Sequence, residues 1–175
     1  ILAPLMNGAL GSPDQPYDGP IALDGNLTEA LLGEIAQSDA FARADLRVAP
    51  ASPGKAERLQ PLLKAPNATL YVNLEEAGLL LRRDFESAED AAKAMVTRGA
   101  ARVLVTDGGK AAALAEGDSV VTATPPQVLV TRVTGAGDTF MAAHIAAELR
   151  GETGQAALST ALQAAATYVS GDVPS

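Results

Sequence analysis

Short apolar runs alternate with helical repeats of leucine and alanine along this chain, and a polar cluster closes almost every run. Residues 20–23 form a brief apolar run that ends at Asp24, Gly25 and Asn26, the pattern of a buried strand and a turn. Residues 28–37 place Leu31, Leu32 and Ile35 on one side of a helix, with Leu27 just ahead of it. A second strand, 46–49, is halted by Pro50. The spacing of Leu59, Leu62 and Leu63 predicts a helix over 55–64, with a kink or an early stop at Pro61. A third strand, 69–72, runs directly into Asn73, Leu74, Glu75 and Glu76. Ser87 and Asp90 resemble a capping box with Asp in place of Glu, opening a helix to about residue 98 that Gly99 can end. The fourth strand, 102–106, stops at Asp107, Gly108 and Gly109. A hairpin is predicted from 111–115 and 119–122 around Glu116, Gly117 and Asp118. A further β-like run, 128–130, leads to a glycine turn, and helices over 138–150 and 153–170 close the chain, each followed by a glycine.

Strand–helix alternation repeated four times predicts an α/β fold: a three-layer αβα sandwich whose open, mostly parallel sheet is covered on both faces. The 175 residues, 47% of them hydrophobic, suffice for one core, so a single domain over 1–175 is expected. Only 3% are aromatic and Trp is absent, so the core is aliphatic and alanine-rich and offers no base-stacking surface. A net charge of -8 without any basic block argues against nucleic-acid backbones and anionic membranes as partners. Cysteine is absent, which excludes disulfides and thiolate metal sites. No apolar run is long enough to cross a bilayer. Residues 1–6 lack the basic leader of a signal peptide, and a cytoplasmic enzyme fits. Position 1 is not Met, so the chain is expected to start inside a longer one.

The chemistry concentrates at Thr134, Gly135, Ala136, Gly137, Asp138, Thr139 and Phe140, between a β-like run and a helical one. Glycines let a backbone turn tightly and approach a ligand closely. The helix that follows presents unpaired N–H groups, and its dipole favours an anion. Asp138 stands beside that anion hole, where a carboxylate can take the proton of a hydroxyl about to attack a phosphate. The bland alternative is a helix cap. Open parallel sheets bind ligands beyond the carboxyl ends of their strands, and three other polar clusters lie at such ends: Asp24 and Asn26, Asn73 to Glu76, and Thr106 to Gly109. Each has its own bland reading. Asp24 and Asn26 can start the next helix, Glu76 can be an ordinary first-turn acid, and Asp107, Gly108 and Gly109 can be merely a tight turn. His144, six residues past Asp138 and on another helix face, reads as structural. Arg132 reads as a phosphate partner or a solvated ion pair.

With N-x-x-E at Asn73 and Glu76, V-T-x-G at Val105, Thr106 and Gly108, and T-G-A-G-D at Thr134 to Asp138, the chain resembles the ribokinase-like (PfkB-type) sugar and nucleoside kinases. The resemblance spans essentially all 175 residues and corresponds to the C-terminal three-fifths of a usual member. It implies an ATP-dependent phosphotransferase that moves the γ-phosphate onto a hydroxyl of a sugar or nucleoside, with ATP and Mg²⁺ as cofactors. Asp138 would be the base, and Gly135, Ala136 and Gly137 would offer amides to the phosphate. Glu76 would help hold Mg²⁺ through water, with Asn73 near the phosphates. Thr106, Asp107, Gly108, Gly109 and Thr134 would border the nucleotide, and Asp24 and Asn26 would face the acceptor. Ala49, Pro53, Lys55, Ala56, Arg58 and Leu59, with Val133 before Thr134, lean toward the pseudouridine-kinase-like branch. The family's N-terminal strands and β-lid are missing, so the alternative is a non-catalytic nucleotide-binding fragment or pseudokinase without its substrate-binding half. Arg132 stands where an Asp is common, which speaks against a monovalent cation, and Ala111 replaces a frequent glycine. For the complete protein the resemblance allows a homodimer.

Overall fold

In a computed structural model of the chain, residues 10–171 are described; residues 1–6 and the first part of the loop expected over 7–20 lie outside them. The described residues form one six-stranded sheet whose strands lie in chain order: β1 (Pro20–Asp24), β2 (Asp45–Ala49), β3 (Ala68–Asn73), β4 (Arg102–Thr106), β5 (Ala112–Glu116) and β6 (Ser119–Ala123). The first four are mutually parallel, and the β5–β6 hairpin adds two antiparallel strands. Parallel strands that step one place at a time need crossovers, and the right-handed rule places all of these on one face. That face carries α1 (Glu29–Gln37), α2 (Leu74–Leu81), α3 (Ala88–Thr97) and a 3₁₀ segment, Pro53–Leu62. The other face carries α4 (Ala136–Leu149) and α5 (Gly154–Ser170), which pack against each other.

Period-2 alternation in the strands builds the two core layers. Leu70, Val72, Val103 and Val105 face the crossover layer with Leu32, Leu59 and Met95. Tyr71 and Leu104 face the opposite way, onto Phe140, Met141 and Leu158. The three-layer, mostly parallel fold read from the sequence is the one observed, with boundaries moved by one or two residues at most elements. Two elements differ. The helix predicted over 55–64 is a 3₁₀ helix, because Pro53, Gly54 and Pro61 all disfavour the α form and Pro61 has no N–H to donate. The β-like run over 128–130 is no strand, and Leu129 is 82% exposed. A strand needs a neighbour to take its backbone groups, and none lies beside this segment among the described residues.

Helix α4 is fastened to the sheet by a largely buried polar group of six side chains. Glu148, near its end, accepts from Arg47 Nη1 on β2 at 2.5 Å and from Arg102 Nη2 on β4. Arg47 also donates to Asp45 through two nitrogens and to the Tyr71 hydroxyl at 3.0 Å. Tyr71 in turn bonds His144 Nδ1 at 2.9 Å, and its ring meets Phe140 and His144 edge-on. Arg47 and Arg102 both pair in register with Thr69, two residues before Tyr71 on β3. As α4 advances from Phe140 to Glu148, its contacts therefore move backwards along β3. The helix runs antiparallel to the parallel strands, and its N-terminus lies at their carboxyl edge.

The arginines hold the Glu148 carboxyl below its ordinary value against the opposing effect of burial. Replacing it (Glu148→Ala) removes the carboxylate shared by two largely buried guanidinium groups, leaving Arg47 to Asp45 and Arg102 to a 3.5 Å contact with Glu116, and is expected to cost about 3 kcal/mol in urea unfolding. His144 has no exposed surface, and burial pushes its pKa from 6.5 down to about 4, so it is neutral in the fold. As pH falls below 6.5 the unfolded chain takes up this proton first. The stability that the neutral ring contributes is complete above pH 6.5 and lost between 6.5 and 4, up to about 3 kcal/mol. His144→Gln, measured across that window, should flatten the pH dependence of stability by most of this amount.

Candidate active site

Four strand ends and one helix start meet at the carboxyl edge of the sheet. Asp24 ends β1, and the amide of Gly25 donates to Ala49 O, the end of β2, at 2.9 Å. Asn73 ends β3 in register with Thr106, the end of β4. The N-terminus of α4 arrives at the same edge from the opposite face.

Asn73 and Glu76 form a reciprocal capping box at the start of α2. Asn73 Oδ1 accepts from the Glu76 amide at 2.9 Å, and Glu76 Oε2 accepts from the Asn73 amide at 2.8 Å. Glu76 is thus a first-turn acid, but it is also buried, 7% exposed. Desolvation raises its pKa, offset in part by the Asn73 amide and assisted by neighbouring Glu75. Its second oxygen makes no hydrogen bond among the described residues. A buried carboxylate in that condition is stabilised by a nearby cation.

Beyond β4, Lys110 N closes a turn on Asp107 O at 2.9 Å, and Lys110 Nζ pairs with the Asp107 carboxylate at 3.0 Å. Gly108 and Gly109 are exposed, with no atom where a Cβ would be. The tight turn is therefore real, and its backbone is open to a ligand. At β1 the side chains are mostly engaged with one another. Asp24 accepts from the amide and the side chain of Asn26 at 2.9 and 2.7 Å, and Asn26 Oδ1 accepts from Lys55 at 2.5 Å. Thr28, not Asp24 or Asn26, caps α1.

Gly135 caps α4 in the left-handed region, φ +89°. A Cβ there would also lie 2.6 Å from the Tyr168 hydroxyl. Its carbonyl accepts from Thr139 N at 2.9 Å and Thr139 Oγ1 at 2.8 Å, which fixes the first turn. The Ala136 amide, expected to be free for a ligand, donates to Val133 O at 3.1 Å. The residue before it must fold back to make the tight turn, and this bond is the result. Among the described residues, the amides of Gly135, Gly137 and Asp138 have no backbone acceptor, as helix geometry leads one to expect. The free amides are therefore those of 135, 137 and 138 and not those of 135–137. Gly137 has open space around it, and Asp138 is exposed, with no hydrogen bond or ion pair to Glu76 or to any other described residue.

Of two further participants, the sequence singled out Arg132 but not its partner Tyr168. Tyr168, on α5, donates its hydroxyl to Thr134 O at 2.9 Å. Arg132 makes no ion pair among the described residues; its Nε donates to Tyr168 O at 2.7 Å and its guanidinium lies 3.9 Å above the Tyr168 ring. These contacts join residues 34 and 36 positions apart in the chain, so no local spacing announces them. A groove of about 730 Å³ on the outer side of this junction is lined by Thr139, Thr160, Gln163, Thr167 and the same two residues. Asp138, Glu76 and Thr106 are not among its lining residues.

The family model for pfkB family carbohydrate kinases matches residues 17–172. This chain belongs to the pfkB family. No curated protein matches it. Among solved structures, a carbohydrate kinase from Agrobacterium tumefaciens is 29% identical with a TM-score of 0.69, over 86% of this chain and 47% of that one. An adenosine kinase from Sinorhizobium meliloti is 18% identical with a TM-score of 0.72, over 92% and 53%. A phosphofructokinase-2 variant from Escherichia coli is 19% identical with a TM-score of 0.74, over 89% and 52%. The chain thus spans about half the length of the structures it matches. In this pfkB chain no described helix is long and apolar enough to cross a membrane.

The two glycines of the turn serve different ends. Gly135→Ala is expected to destabilise the fold by about 1–2 kcal/mol, from the left-handed φ alone, and more if Tyr168 cannot give way. Gly137→Ala lies inside a helix with free space and should be neutral or stabilising by up to about 1 kcal/mol. Denaturant titration of both variants separates a glycine kept for backbone shape from one that is not.

Proposed function

We propose that the protein carrying this chain transfers the γ-phosphate of ATP to a hydroxyl of a sugar or nucleoside. The observation that carries this is the set of three unclaimed amides, Gly135, Gly137 and Asp138, beside the exposed Asp138 carboxylate at the carboxyl edge of the sheet. Asp138 takes the acceptor's hydroxyl proton while that oxygen bonds the γ-phosphorus, and the bond from phosphorus to the bridging oxygen breaks to release ADP. The amides and the α4 dipole stabilise charge on the transferring group as it develops. Thr106, Asp107, Gly108, Gly109 and Thr134 border the nucleotide, and Asn73 lies toward its phosphates.

Glu76 fits Mg²⁺, because its burial and its unpaired oxygen favour a cation close by. No group of three or more His, Cys, Asp or Glu among the described residues could cage a metal, which suits an ion held largely by water and phosphate. Bound there, Mg²⁺ would supply neutralising charge to the phosphates. For the acceptor, the finer reading is a ribose-like sugar or a pseudouridine-type nucleoside. Lys55 and Arg58, part of the stretch that suggests it, hold the loop of Gly25 and Asn26 at 2.5 and 2.9 Å. The use of ATP fits a cytoplasmic setting.

A second reading applies to the 175-residue stretch by itself: it binds nucleotide and transfers nothing. The exposure of Asp138 favours this, since no described element shields the base from water. Calorimetry with ATP–Mg²⁺ and a phosphorylation assay, run on the stretch and on the longer protein, decide between them. In the longer protein, Asp138→Asn should lower kcat by about 10²- to 10⁴-fold and leave ATP affinity within about threefold. Turnover near that of the unaltered protein would remove Asp138 from its role.

A further inference from the structure

The glycine turn does not hold its shape alone. It is tied to the far end of α5 by contacts of Thr131, Arg132 and Thr134 with Tyr168 and Val169. The helix leaves its last carbonyls without intrahelical partners, and they carry the negative end of its dipole. Thr131 meets the Val169 carbonyl with its amide at 2.8 Å and its hydroxyl at 3.1 Å, and the Arg132 amide adds a third bond at 3.2 Å. Arg132 Nε takes the Tyr168 carbonyl, and the Tyr168 hydroxyl reaches back to Thr134 O, one residue before the capping glycine. The guanidinium plane over the Tyr168 ring closes the loop.

We propose that Arg132 and Tyr168 are positioning residues for the phosphate-facing amides, and that the guanidinium makes a monovalent cation unnecessary at this junction. The proposal rests on the cradle assigned above. The donor set argues directly against an added cation. A hard cation is bound by several oxygens at once, yet the three carbonyls that face the junction, from Thr134, Tyr168 and Val169, are each taken by an N–H or O–H of the protein. A second positive charge would also stand beside Arg132 and be repelled by it. The arrangement acts on the cradle through one short path. Tyr168 fixes Thr134 O, Thr134 precedes Gly135, and the missing Cβ of Gly135 is what lets the hydroxyl approach.

The test uses the protein carrying this chain, with Tyr168→Phe, Arg132→Ala and Arg132→Lys. Amide hydrogen exchange is read at residues 135–138 and, as a control for global loosening, along β3. Loss of one hydrogen bond should speed exchange in the turn by about tenfold in Tyr168→Phe and Arg132→Ala while β3 is unchanged. With ATP and an accepted sugar or nucleoside, kcat should fall about tenfold and KM for ATP move less than about threefold, with Arg132→Lys recovering most of kcat. The unaltered protein should give the same exchange and turnover in potassium chloride as in tetramethylammonium chloride of equal ionic strength. Unchanged exchange in both Tyr168→Phe and Arg132→Ala, or a potassium requirement above about fivefold in the unaltered protein, overturns the proposal. A protein that binds no ATP would defeat the kinase reading, while the exchange measurements would still judge the tie between the turn and α5.

Discussion

The placement of α4 depends on one carboxylate between two arginines. Glu148 is shared by Arg47 from β2 and Arg102 from β4, and the strand that separates these two in the sheet, β3, presents Tyr71 to His144 on the same helix. Three strands thus fix one helix face. A charge pair of this kind adds little net stability over an apolar contact of the same size, but it tolerates far fewer alternative geometries. Sliding α4 by one turn along the sheet would take Glu148 from both arginines and His144 from the Tyr71 hydroxyl. That constraint places the helix N-terminus at the carboxyl edge, and every chemical property of the Gly135–Asp138 segment follows from its being there and not at the opposite end.

Much of the layer plan could be read in the chain because it depends on local period. Leu70, Tyr71 and Val72 alternate between two cores, and the capping signals at Ser87 and Asp90 are short-range. The motif residues Asn73, Glu76, Thr106 and Asp138 were legible as positions at strand or helix ends, since glycines and polar groups punctuate apolar runs. What their side chains do was less legible. Glu76 serves a capping box and a buried carboxylate at once, two readings that the sequence sets apart as alternatives.

The contacts that escaped notice are long-range ones. Arg47 and Glu148 are 101 residues apart, and neither stands out among 13 basic and 21 acidic residues. His144 reads as structural, but its neutral state depends on burial that only the packed helix provides. Local period misled in two places. Leu59, Leu62 and Leu63 have helical spacing, yet the prolines around them decide for 3₁₀. Val128, Leu129 and Val130 have strand composition, but composition supplies no partner strand, and β propensity without a partner is only a preference for a half-buried, pleated surface.

The two site carboxylates sit in contrasting surroundings, and the contrast bears on their roles. Glu76 is buried, held in place by an amide on one oxygen, and made harder to ionise by desolvation. A group so fixed cannot swing to follow a reacting hydroxyl, but it is well placed to gain from a cation that enters with a nucleotide. Asp138 is exposed and without partners among the described residues, on the first turn of α4. A base must remain ionised and mobile until an acceptor arrives, then lose water as the site closes around it. An exposed Asp138 fits the proposed base in a chain that spans about half the length of the structures it matches, because no described element supplies the desolvation that such a base gains when its site closes.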